Sequence, residues 1–125
     1  MTESLRTLGL ATLTLTTTLA GCLQADPRCR VTFDVSVRLA GASPELVERE
    51  LVDPLEADLK AAPGLAEIHS TASFDLAVLT LEFEPGRDGD EAMRWVHERL
   101  KSTIRVLPQD ASYPEIGGRR ETCPR

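Results

Sequence analysis

Aromatic residues are scarce in this 125-residue chain: one Trp, one Tyr and three Phe make up 4% of it. A core of any size must therefore be filled by Leu, Val, Ile and Ala. Positive charge is also in deficit, with 14 Lys and Arg against 20 Asp and Glu and a net charge of -6. Such a balance repels a phosphate backbone, so nucleic acid is not expected as a partner. The two histidines, His69 and His97, lie in no ligand spacing, and a Cys-x-x-Cys pair is missing. Ordinary surface or partly buried roles are expected for both, with no metal site and no cofactor. Asp88-Gly89-Asp90-Glu91 is acidic but lacks the remaining ligands of a calcium loop. Helix capping and dipole compensation account for it more simply. No Ser, Cys and His arrangement suggests nucleophilic catalysis, so the chain is not expected to be an enzyme. A long apolar run is lacking too: Leu8 to Leu19, made only of Leu, Ala, Gly and Thr, falls short of the roughly 20 residues needed to cross a bilayer.

What that short run does have is the anatomy of a signal peptide, preceded by a head with one basic residue, Arg6. It closes on Leu19-Ala20-Gly21-Cys22, which resembles the lipobox of bacterial lipoproteins. The resemblance implies a signal peptide over residues 1–21, a lipid on Cys22 and a short tether over 22–28. The alternatives are a plain secretory signal followed by an incidental cysteine, or an uncleaved anchor; Glu3 in the head keeps both open. One acyl chain binds a membrane marginally, and the diacylglycerol and N-acyl chains of a lipoprotein would supply the rest. The expected partner at that end is thus a membrane, reached through lipid and facing the periplasm. Leu23 stands where aspartate signals inner-membrane retention in many lipoproteins, so the outer membrane is favoured over the inner. Loss of residues 1–21 removes Glu3 and Arg6 and leaves the net charge unchanged.

Three cysteines are an awkward number for an exported protein. With Cys22 assigned to lipid, Cys29 and Cys123 remain as natural disulfide partners in an oxidising compartment. The other reading is a pair of unpaired thiols near the two chain ends.

Residues 29–125 are enough for one small domain, burying roughly 65% of its unfolded surface. Val31, Phe33, Val35, Val37 and Leu39 alternate with polar residues and predict a half-buried strand. Ser43-Pro44 then offers a cap and a first helical residue whose amide needs no partner. A helix is expected to about Ala62, with Val47, Leu51, Leu55 and Leu59 as its buried stripe and a kink at Pro54. Leu65 to Phe74 reads as a weaker strand, Phe74-Asp75 as a hairpin turn and Leu76 to Phe83 as a clearer strand. Asp88 or Asp90 can cap a second helix to about Leu107, with Met93, Val96, Leu100 and Ile104 inward. Glu115 to Cys123 supplies a short last strand. The order βαββαβ is that of an α+β, ferredoxin-like split βαβ domain, an antiparallel sheet with two helices on one face. There the first and last strands are antiparallel neighbours, which brings Cys29 beside Cys123.

Within this frame, Gly41-Ala42-Ser43-Pro44-Glu45-Leu46-Val47-Glu48-Arg49-Glu50, Pro54-Leu55-Glu56 and Pro63-Gly64-Leu65 follow one another. Ile68-His69-Ser70-Thr71-Ala72-Ser73 and Leu81-Glu82-Phe83-Glu84-Pro85-Gly86-Arg87-Asp88 come next, then Glu91-Ala92, Val96, Leu100 and Leu107-Pro108. In order and spacing this series resembles the periplasmic porter subdomains of resistance-nodulation-division (RND) efflux transporters. In that family such subdomains pack together, line substrate pathways and meet partner proteins, while proton-relay residues lie in transmembrane helices. No segment of this sequence corresponds to those helices, so no relay residue carries over. Asp75 and Ala77 stand where the family often has glycine and serine.

Trp95 falls well away from the predicted apolar stripe of the second helix, which makes it a candidate partner contact. The plainer alternative is a ring that covers the helix edge. The combined expectation is a noncatalytic, lipid-anchored periplasmic interaction domain, accessory to an envelope efflux transporter. A stand-alone small-molecule-binding lipoprotein, or a structural envelope protein, is the alternative.

Overall fold

The computed structural model describes residues 27–124. The expected signal peptide, Cys22 and most of the expected 22–28 tether lie outside the described residues.

Strand β1 (Arg30–Arg38) alternates strictly, with Val31, Phe33, Val35 and Val37 inward and buried. Strand β3 (Leu76–Phe83) repeats the pattern with Ala77, Leu79, Leu81 and Phe83. The two pair antiparallel at the centre of a four-stranded sheet ordered β2-β3-β1-β4. The outer strands, β2 (Leu65–Ser73) and β4 (Glu115–Thr122), are also antiparallel to their neighbours. This is the ferredoxin-like α+β arrangement that the element order predicts. Leu and Val dominate the core, and the Phe33 and Phe83 rings meet at 5.2 Å.

The first helical run has three parts: α1 (Pro44–Val47), a π-helical segment (Glu48–Val52) and α2 (Asp53–Leu59). The Ser43 hydroxyl accepts from the Leu46 amide at 3.3 Å and caps its start. Val47, Leu51, Leu55 and Leu59 are fully buried, as their spacing predicts. Burial of each such side chain contributes about 1.5–3 kcal/mol. The expected disturbance at Pro54 takes the form of a π turn just before it. Proline has no amide hydrogen for the Glu50 carbonyl, and the Asp53 amide reaches back five residues to Glu48. A wider turn also suits the stripe. In a regular α-helix, residues four apart drift about 40° per step, and the π turn takes up that drift, holding all four leucine and valine positions over the sheet. The run ends at Leu59, short of Ala62, and Gly64 with φ 77° turns the chain into β2.

Helix α3 (Gly89–Thr103) is capped by Asp88, whose carboxylate accepts from the amides of Asp90 at 2.9 Å and Glu91 at 3.4 Å. It stops at Thr103, before Leu107, and continues as a 3-10 turn over Ile104–Val106. Its buried face also differs from the predicted one. Ala92, Val96, Leu100 and Thr103 point inward, while Met93 and Ile104 are only half-buried. Thr103 turns inward because its hydroxyl finds partners there, 2.7 Å from Asp58 Oδ2 on α2 and 3.0 Å from the Arg99 carbonyl.

Candidate functional site

The molecule has two poles set by the strand directions. At the first, the chain enters β1 and leaves β4, and the sulfurs of Cys29 and Cys123 are bonded, with Cα atoms 4.1 Å apart. The Gly86 amide donates to the Cys29 carbonyl at 3.0 Å, which holds the entering chain against the loop before α3. Any tether on residues 22–28 therefore joins the domain at this pole.

The opposite pole is built around the Phe74-Asp75 turn. Asp75 adopts φ 67°, the left-handed region that aspartate tolerates better than most residues. Its Oδ1 accepts from the Gly41 amide at 2.6 Å, and its backbone exchanges bonds with Leu39 and Ala42. The hairpin is thus fastened to the β1–α1 loop, and Phe74 is held out into solvent at 65% exposure. Tyr113, 57% exposed, follows Ser112, whose hydroxyl and amide bond the backbone of Arg38 at the end of β1. Composition alone did not mark these two aromatics; their signal is an aromatic placed in a turn or loop rather than on an apolar stripe.

Trp95 is half-buried and packs at the core's margin, with the Arg99 guanidinium 5.9 Å from its ring centre. Beside it runs a groove of about 50 Å³ lined by Pro63, Phe83, Arg87, Glu91 and Trp95 among others. Arg87 lies directly over Gly64, where a Cβ would collide with its guanidinium, so that glycine serves both the turn and the groove. The space is far smaller than a drug-sized pocket of roughly 300–1,000 Å³, whereas open depressions of about 310–470 Å³ lie elsewhere on the described surface. His97 is exposed on α3 and His69 is exposed on β2, in different layers.

The sheet face away from the helices is polar. Asp34 lies at its centre, where the Thr80 hydroxyl donates at 2.7 Å and Arg120 lies 3.3 Å away. Partial burial raises the Asp34 pKa, but the hydrogen bonds from Thr80 and Arg120 and the arginine's charge outweigh it and hold the carboxyl below its ordinary range. Gly118, with φ 62°, passes so close to Asp34 that a Cβ there would lie 2.6 Å from the carboxylate.

Residues 27–122 match the family model described as the AcrB/AcrD/AcrF family. The chain belongs to that family. It is 34% identical over 113 residues to multidrug resistance protein MdtC of Pectobacterium atrosepticum, covering 82% of this chain and 11% of that protein. MdtC of Photorhabdus laumondii is 35% identical over 104 residues, which cover 77% and 10%. Among solved structures, crystal form II of a heavy metal efflux pump aligns with a TM-score of 0.63 at 27% identity, over 69% of this chain and 8% of that one. Crystal form I of such a pump gives 0.64 at 24% identity and bears on the fold alone, covering 78% and 10%. The chain thus spans about a tenth of the length of these family members. Its resemblance to an RND porter subdomain is shown by both sequence and fold. Among the described residues no helix is long and apolar enough to cross a membrane.

Proposed function

We propose that this porter-like domain acts by binding, as a noncatalytic, lipid-anchored accessory to an envelope efflux transporter. The observation that carries the reading is the family match over residues 27–122, a subdomain type whose relatives work inside larger transport proteins. The lipobox-like Leu19-Ala20-Gly21-Cys22 supplies the anchor, with the outer membrane favoured. Two surfaces suit contact with another protein. One is the half-buried Trp95 beside its narrow groove, and the other is the pole far from the tether, where Phe74 and Tyr113 stand exposed. The narrowness of the groove beside Trp95 argues against a small-molecule site at that one place.

Two measurements test it. Labelling cells with a radiolabelled fatty acid should mark the wild-type protein and leave Cys22→Ser unmarked; an unlabelled wild type sinks the anchor. Crosslinking in intact cells should then capture an efflux transporter component, and Trp95→Ala or Phe74→Ser should weaken that capture. Recovery of the chain as an uncrosslinked monomer under the same conditions refutes the accessory role.

A further inference from the structure

A bulge in β2 has a chemical consequence on the open face of the sheet. Leu65 pairs with Phe83, the register then slips, and Glu67 comes to lie opposite Glu82. Bulges of this kind re-aim a side chain, and here one places two carboxylates across from each other, an arrangement that is destabilising when nothing lies between them. Two residues on along the same face stands His69, opposite Thr80. Its Nε2 is 3.4 Å from Glu67 Oε2. One ligand atom from each of Glu67, His69 and Glu82 can be chosen so that all lie within 4.8 Å of one another.

We propose that Glu67, His69 and Glu82 form a binding site for a divalent transition-metal ion of the zinc class. Imidazole with carboxylate oxygens suits such ions, and neither thiolate nor a cage of six oxygens is present to favour a softer or harder one. Tetrahedral zinc, with bonds near 2.0–2.2 Å, sets neighbouring ligand atoms about 3.4 Å apart. His69 and Glu67 already stand at that separation, and a turn of the Glu82 carboxylate about the Oε1 that Arg30 holds would shorten the two remaining sides. Arg30 holds Glu82 through Oε1, which leaves the second carboxylate oxygen for the ion. The first two ligands are about 60% exposed, so the ion has an open route in and a coordination position left for water. Sequence spacing did not reveal the group, because its third member comes from the neighbouring strand.

The test is a zinc titration of the full chain carrying Cys22→Ser, so that neither a lipid nor a thiol stands at that position, at pH 7.5 and followed by calorimetry. One ion per chain with micromolar affinity is expected. His69→Ala and Glu67→Gln should each weaken it tenfold or more, while His97→Ala, in the other layer, should leave it unchanged. Because all three side chains reach solvent, circular dichroism should show these variants folded. Histidine ring NMR signals of the otherwise unaltered protein give an independent reading: zinc should shift His69 and spare His97. No saturable binding up to millimolar zinc, a shift confined to His97, or binding undiminished in His69→Ala would overturn the proposal.

Discussion

Replacing both Cys29 and Cys123 by serine should cost this domain a large part of its stability. The bond spans a sequence separation of 94 residues. A closed loop of that length removes about 4.7 kcal/mol worth of conformational entropy from the unfolded chain in the loop-closure model. Domains of this size are stable by only about 5–15 kcal/mol, so the loss is comparable with the whole. The structure also says where it falls. Every β4 residue is exposed except Ile116, which is half-buried, so the strand is held by backbone pairing to β1, the ion pairs of Arg119 with Asp90 and Arg120 with Asp34, and the sulfur bridge rather than by its own burial. Urea unfolding followed by circular dichroism should show the midpoint fall by about 2–4 M, taking a slope of about 1.5 kcal/mol/M, with a slightly steeper slope because the unbridged unfolded chain exposes more surface. Hydrogen exchange should report lost protection in β4 first. A double variant within about 1 kcal/mol of the wild type would refute the reasoning, since loop closure and the β1–β4 clasp would then contribute nothing.

Leu55→Ala should destabilise by about 2–5 kcal/mol in the same unfolding assay, because this fully buried side chain lies where α2 meets the sheet and its loss leaves a cavity. At the hairpin, Asp75→Ala should cost about 1–2 kcal/mol and Asp75→Asn much less, since asparagine keeps both the left-handed backbone and an acceptor for the Gly41 amide. Asp34 has a folded-state pKa below its ordinary value of 3.8, so its contribution is present above about pH 4 and is lost as the pH falls through the folded value. Stability measured from pH 5 to pH 2 should therefore decline less steeply in Asp34→Asn than in the wild type. Thr103→Val, which keeps the shape but removes the hydroxyl that meets Asp58, should cost about 1–2 kcal/mol by thermal unfolding.

Much of this fold was legible from local pattern. Strict alternation marked β1 and β3, and Ser43-Pro44 and Asp88 announced the helix starts, because those signals depend on neighbours a few residues away. One miss has a tertiary cause. The inward turn of Thr103 on α3 depends on Asp58 of α2, which no single helix pattern contains, while the half-buried Trp95 agrees with the plainer expectation of a ring at the helix edge. The π segment was foreshadowed by Pro54, yet its form depends on keeping four side chains over one sheet.

The sequence by itself determined the strand and helix order, the apolar faces of β1, β3 and the first helical run, the acidic balance and the family, all of which follow from residue type and spacing along the chain. Only the tertiary structure decided which exposed groups meet: Phe74 and Tyr113 at one pole, Arg87 and Trp95 along a groove, and Glu67, His69 and Glu82 across two strands. The physical reason is register. The weak alternation of β2 does not fix its pairing, and the one-residue slip there chooses which side chains face one another across the sheet.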